Sequence, residues 1–282
     1  MKWKIIEEKI IKVFMIVAAI VSVGSLLLII GSILFRGLPA LNLDMITKTP
    51  EGGFYLGKTG GVLNAIVGSF YLAGGATILA LVISFPIVLY INVFLYKNHW
   101  FSTTIRFIAD VMWGIPSIVY GAFGFTLMLF LGLKTSLLAG IVVVAILIMP
   151  IMIRIADEII KTVPQELLDA PLSLGATKWE TAIKVVLRQT AGGLFTAVLI
   201  AFGRAIGDAA SVLFTAGYSD SIPTSLNEPA ATLPLAIFFQ LSTPIKAVRD
   251  RGYASALILT VIILLISITI RIISNRLNRH KI

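Results

Sequence analysis

Apolar residues in this chain gather into long continuous blocks separated by short polar stretches, with none of the alternation that marks a half-buried strand. Blocks at 13–35, 68–95, 107–131, 135–153, 190–218 and 252–270 each reach or approach the roughly 20 helical residues that cross a hydrocarbon core about 30 Å thick. Six transmembrane helices follow. No charge falls between Gly60 and Tyr96, which is too long for one perpendicular crossing. A short helix at 62–67 is therefore expected before the second span, within a 62–95 unit bent at Pro86.

The polar stretches complete the map: an N-terminal segment at 1–12, loops at 36–61, 96–106 and 219–251, a charged segment at 154–189 and a tail at 271–282. A turn is expected at Pro50-Glu51-Gly52-Gly53, and apolar re-entrant pieces at 233–241 inside the last loop. The run at 13–35 exceeds a signal-peptide core and lacks a small-residue cleavage site at Arg36-Gly37-Leu38-Pro39, so it reads as a retained span. Lys and Arg orient the whole. Of 23, 15 lie on the first, third, fifth and last connecting segments and 7 on the alternate ones, which places both termini, the 97–106 loop and the 154–189 segment in the cytoplasm.

Composition agrees: 58% of the 282 residues are hydrophobic and 13% charged, with a mean hydropathy of +0.98. The net charge of +9 flanks apolar blocks rather than forming a patch, so lipid and not nucleic acid is the expected contact. With no cysteine, disulfides and thiol chemistry are excluded. His99 and His280 have no carboxylate cluster beside them, and no metal site is expected. Trp3, Trp100, Trp113 and Trp179 fit an interfacial belt.

Within 154–189, expected to be helical and solvent-facing, Pro164 suits a first helical turn, and Gln165, Glu166 and Asp169 place acceptors and negative charge near the positive helix end. Gly175 would end that helix, leaving a short amphipathic helix with Leu167, Leu168 and Leu172 on one side. It either lies on the membrane surface or receives a partner. In the fifth span, Arg204 and Asp208 stand four residues apart and can pair on one helix face. The pair either locks the span to its neighbours or, with Asp208 holding the guanidinium, offers Arg204's planar fork to a tetrahedral oxyanion. In the third span Gly114, Pro116 and Gly121 supply a kink and close packing. Ser117 and Tyr120 offer hydroxyls to a pathway or to their own backbone, and Asp110 complements the first-turn dipole.

Asp169-Ala170-Pro171, then Leu172-Ser173-Leu174-Gly175-Ala176-Thr177-Lys178-Trp179, resembles the cytoplasmic signature of ABC-importer permeases, Glu-Ala-Ala followed after three residues by Gly. Asp169 replaces Glu, Pro171 replaces the second Ala, and Arg188 stands where Pro is usual after Leu187. The segments 60–69, Gly114-Ile115-Pro116-Ser117-Ile118-Val119-Tyr120-Gly121 and Arg204-Ala205-Ile206-Gly207-Asp208 are similar to phosphate-specific permeases. Leu38-Pro39-Ala40-Leu41-Asn42 and Thr232-Leu233-Pro234 resemble one subunit of that permease pair.

The resemblance implies an all-α integral membrane fold with a type I ABC-importer permease core in the prokaryotic inner membrane. Its implied partners are a second, homologous phosphate permease subunit, an ATPase dimer and an extracytoplasmic phosphate-binding protein. Glu166, Asp169, Ala170, Leu172, Gly175 and Ala176 would couple to the ATPase; Arg204, Asp208, Ser117 and Tyr120 would line the pathway. No cofactor is implied for this chain, since ATP and Mg would be used by partner subunits, and no Gly-x-x-x-x-Gly-Lys-Ser/Thr loop occurs. A permease for sulfate or molybdate is the alternative nearest to this reading. An ATP-independent channel or carrier lacks the expected inverted repeats. An intramembrane aspartyl protease lacks its Gly-x-Gly-Asp, because Ala205 stands at the first glycine.

Overall fold

The computed structural model describes residues 2–51, 59–95 and 99–278. Gly52, Gly53, Lys97, Arg279, His280 and Lys281, invoked above for a turn, a basic loop and a basic tail, lie outside the described residues.

The apolar blocks become helices α1 (Lys2–Gly37), α3 (Leu63–Leu89), α4 (Trp100–Gly114), α5 (Ser117–Phe130), α6 (Leu137–Lys161), α9 (Leu187–Ile206) and α11 (Lys246–Asn278). Shorter helices are α2 (Leu43–Thr47), α7 (Gln165–Ser173), α8 (Lys178–Glu180) and α10 (Leu233–Ser242), and β1 (Pro50–Glu51) pairs antiparallel with β2 (Thr59–Gly60). Among the described residues, five helical stretches are long and apolar enough to cross a membrane; α4 and α5 together make a sixth if counted as one broken span.

The core is built on α3, α6 and α9. Small residues on α3, among them Ala65, Ala73, Ala76 and Ala80, are buried, so its backbone lies close to its neighbours. α6 starts where the Ser136 hydroxyl accepts the Ala139 N–H, and more than half of its most apolar stretch is buried. α1 is the opposite case, with none of its most apolar stretch buried. It joins the body at its end, where Gly37 allows the Tyr253 carbonyl to approach and Arg36 lies over the Tyr253 ring. Its apolar surface therefore faces lipid or another chain.

Several boundaries differ from the sequence reading. No separate 62–67 helix forms: the helix runs from Leu63 through Pro86 and closes as a π-helix at Tyr90–Phe94. The expected single span at 107–131 is two helices bent by 98° at Ile115-Pro116. α4 already begins at Trp100, where the His99 ring accepts the Phe101 N–H, so Asp110 lies in its third turn and pairs with Arg154 of α6 at 2.9 Å instead of complementing a first-turn dipole. α6 continues past residue 153 to Lys161, which takes Asp157 out of solvent.

The fifth span ends at Ile206 rather than near Tyr218. From Gly207 to Thr232 the chain is non-helical and held by other elements: Ala216 and Thr215 carbonyls accept N–H groups of Ala230 and Ser136, and Glu228 and Leu226 carbonyls accept those of Leu137 and Leu138. In the same segment the Thr224 N–H and hydroxyl hold the Glu228 carboxyl below the usual carboxylate range. The segment then passes so close to α3 that only glycine fits at Gly68 beneath the Ala231 carbonyl, and Ser69 accepts the Leu233 N–H to start α10. α10 falls on the apolar 233–241 piece and is tied to α11 by the Ser255–Gln240 hydrogen bond of 2.9 Å.

Candidate functional site

The break in the α4–α5 span has a local cause. Proline disfavours helical backbone at the residue before it, and Ile115 is extended at φ −75°, ψ 128°. Pro116 then stands as a cap with no side-chain hydrogen bond, so α5 opens with first-turn N–H groups that no side chain caps. Tyr120 fixes the bend: its buried hydroxyl donates to the Met112 carbonyl of α4 at 2.7 Å. The Tyr120 hydroxyl proton is thus engaged across the break. Gly121 brings α5 against the carbonyls of Ala210 and Ser211, 2.8 and 2.9 Å from where a Cβ would stand. Gly114, by contrast, has open space around it, so the close-packing role expected of it is not found.

The segment that Gly121 contacts is the turn carrying Asp208. Gly207 ends α9, and Asp208 follows it, buried, with one oxygen 3.0 Å from Arg204 Nη1 and the other accepting both the N–H and the hydroxyl of Ser211. The pair anticipated on one continuous helix thus forms across a helix end, which also sets Arg204 in the last turn, where a cation complements the helix dipole. Arg204 is 42% exposed while Asp208 is 3% exposed. The cation therefore meets whatever fills the adjoining space. Ser117, half-buried, lies one helical turn before Gly121 on the same face of α5.

The second group of residues is brought together elsewhere. Glu166, Asp169, Ala170, Leu172, Gly175 and Ala176 lie on or just after α7, none of whose residues is buried. Of the leucines, Leu168 packs inward while Leu167 and Leu172 are exposed. Gly175, at φ +88°, closes α7: its N–H meets the Leu172 carbonyl, and the Ala176 N–H meets the Pro171 carbonyl. Thr177 and Glu180 then form a capping box that restarts the chain toward the π-helical segment Thr181–Val186 and α9. Leu187 to Arg204 is about 26 Å of α-helix, so α7 and the Arg204 turn lie at separate levels of the molecule.

A third cluster was missed. Asp157, fully buried on α6, receives both Nε and Nη2 of Arg106 at 2.9 and 3.0 Å, Asn92 Nδ2 at 2.8 Å and Lys161 Nζ at 2.7 Å. It joins α3, α4 and α6 at the α7 end, beside a groove of about 460 Å³ that reaches Gln165 and Leu168 of α7. Its sequence signal was the i,i+4 spacing of Asp157 and Lys161, which an exposed helix shows equally. Among the described residues no group of His, Cys, Asp or Glu could hold a metal ion.

Residues 84–282 match the family described as "Binding-protein-dependent transport system inner membrane component". The chain is similar to the phosphate transport system permease protein PstA of Haemophilus influenzae, 29% identical over 274 residues covering 96% of this chain and 94% of that protein. The PstA of Xylella fastidiosa is 33% identical over 255 residues, 89% and 85% of the two chains. Among solved structures, an inward-facing MetNI methionine ABC transporter matches with a TM-score of 0.63 at 18% identity, covering 76% of this chain and 95% of that one, which is a likeness of fold. With the family matched over residues 84–282 and the relatives aligned along nearly their whole length, this chain belongs to the inner-membrane components of binding-protein-dependent transport systems.

Proposed function

We propose that the chain is the transmembrane permease subunit of an ATP-driven inorganic phosphate importer and forms half of its translocation pathway. The observation that carries the substrate class is a half-exposed arginine whose buried carboxylate partner sits on the turn against which α5 rests. A dianion entering there meets the Arg204 fork and lies within reach of α5's uncapped first turn, with Ser117 as a hydroxyl donor. Asp208 offsets part of the charge, so the anion is held weakly enough to leave. Tyr120 positions the broken span. The similarity to PstA proteins supports phosphate over other oxyanions.

α7 is the surface for an ATPase, its exposed Leu167, Leu172 and Leu174 offering apolar contacts and Glu166 and Asp169 polar ones. The partners are a second, PstC-like permease subunit, a PstB-like ATPase dimer that hydrolyses MgATP, and a PstS-like phosphate-binding protein outside. Both termini lie in the cytoplasm with α7. Closure of the ATPases rocks the spans and exposes the Arg204 turn alternately to each side.

The assembled importer in proteoliposomes is expected to take up labelled phosphate only with ATP, and excess sulfate or molybdate leaves uptake unchanged. Competition by either anion would move the chain to another oxyanion importer. Uptake without ATP would overturn the ABC reading.

A further inference from the structure

α7 is tethered on both sides to the same few residues of α3. Before α7, α6 delivers Asp157 and Lys161, and Asp157 is hydrogen-bonded to Asn92 in the closing π-helical turn of α3, with Arg106 bridging the two side chains. After α7, Lys178 donates to the Phe94 carbonyl at 3.0 Å, in that same turn. Both flanks of a surface helix thus hold one five-residue stretch, while the groove beside Gln165 and Leu168 leaves space next to α7 on its α4 side.

The turn they hold is wider than α-helix, and π-helical turns are frequent at functional positions. From it α3 runs on as a helix of 27 residues, about 40 Å, packed against α6 and α9. Its far end fits under the Ala231 carbonyl where the 207–232 segment passes. That segment begins with the Arg204–Asp208 turn.

We infer that α3 is the element that receives movement of α7, through the Asn92–Asp157 link on one side and the Lys178–Phe94 link on the other, making Asn92 and Lys178 positioning residues for coupling. This rests on the permease reading above. A displacement of α7 pulls or releases the π-helical turn, and α3 carries it toward the segment that includes the proposed anion site.

The test measures phosphate transported per ATP hydrolysed by the complete importer in proteoliposomes, for wild type, Asn92→Ala, Lys178→Met and the double variant. The double variant is expected to lose about 5-fold or more of that ratio, with each single variant between. ATP hydrolysis and copurification of the ATPase stay at wild-type levels, and Lys178→Arg restores the ratio. An unchanged ratio in the double variant, or uptake and hydrolysis falling in parallel, would overturn the inference. Loss of ATPase binding in Lys178→Met would do so too, by making Lys178 part of the docking face. Failure of the permease reading looks different: the wild-type importer itself would then show no ATP-driven phosphate uptake.

Discussion

Replacing Arg204 by alanine is expected to lower ATP-driven phosphate uptake about 100-fold or more while the importer still assembles. The guanidinium can place two charge-assisted hydrogen bonds on an oxyanion, each contributing roughly 1.5–3 kcal/mol, and alanine supplies neither. Lysine keeps the charge without the fork and is expected to retain more uptake than alanine. The competing view is that Arg204 only completes the end of α9 and neutralises Asp208. Alanine would then leave a buried carboxylate unpaired, and the loss would appear as poor assembly with transport per assembled complex preserved. Uptake normalised to assembled complex separates the two, and normal uptake by Arg204→Ala rules out the role.

The largest stability effect is expected at Asp157. Alanine there removes the carboxylate that Arg106 and Lys161 share and leaves Asn92 with the Val88 carbonyl alone as acceptor, in a site where Asp157 is wholly buried. Breaking a buried pair by deleting one partner costs about 3–5 kcal/mol, and the partial exposure of both cations places this case toward the lower figure. The thermal midpoint of the purified complex is expected to fall by about 6 °C or more. The double variant Arg106→Met with Asp157→Leu is expected to recover part of that loss, because the Arg106 charge goes with its partner and Lys161 keeps Glu158 at 3.1 Å. An additive or greater loss in the double variant would show that packing, not charge pairing, sets the cost.

What the sequence made legible followed from lengths and spacings. Uncharged runs of 20 or more residues announce helices that cross a membrane, and Gly175 placed the end of α7 because a left-handed residue was needed there. Pro116 announced a kink, but a proline constrains only its neighbours. The 98° bend depends on Tyr120 reaching Met112 and on Gly121 seating α5 against Ala210 and Ser211. The end of α9 was hidden because residues 209–218 stay apolar, and apolar composition cannot separate a helix from turns whose backbone groups bond to Ser136 and Ala230. Spacing still found the Arg204–Asp208 pair, since Gly207 leaves the two side chains within reach across the helix end.

Asp157 was illegible for a different reason. Its burial comes from Arg106, fifty-one positions earlier, and from Asn92 at the end of a stretch read only as uncharged. Local charge patterns around 154–161 give no sign of either.

The proposed oxyanion site at the broken span can be tested in place because this chain has no cysteine, so Ser117→Cys introduces the one thiol it carries. The rate at which a charged methanethiosulfonate reagent modifies that thiol in the assembled importer is the measurement. Phosphate at about ten times its dissociation constant is expected to slow modification roughly 10-fold, and chloride at equal ionic strength to leave it unchanged. Adding Arg204→Ala is expected to abolish the protection. Equal rates with and without phosphate would contradict an anion site formed by Arg204 and the first turn of α5.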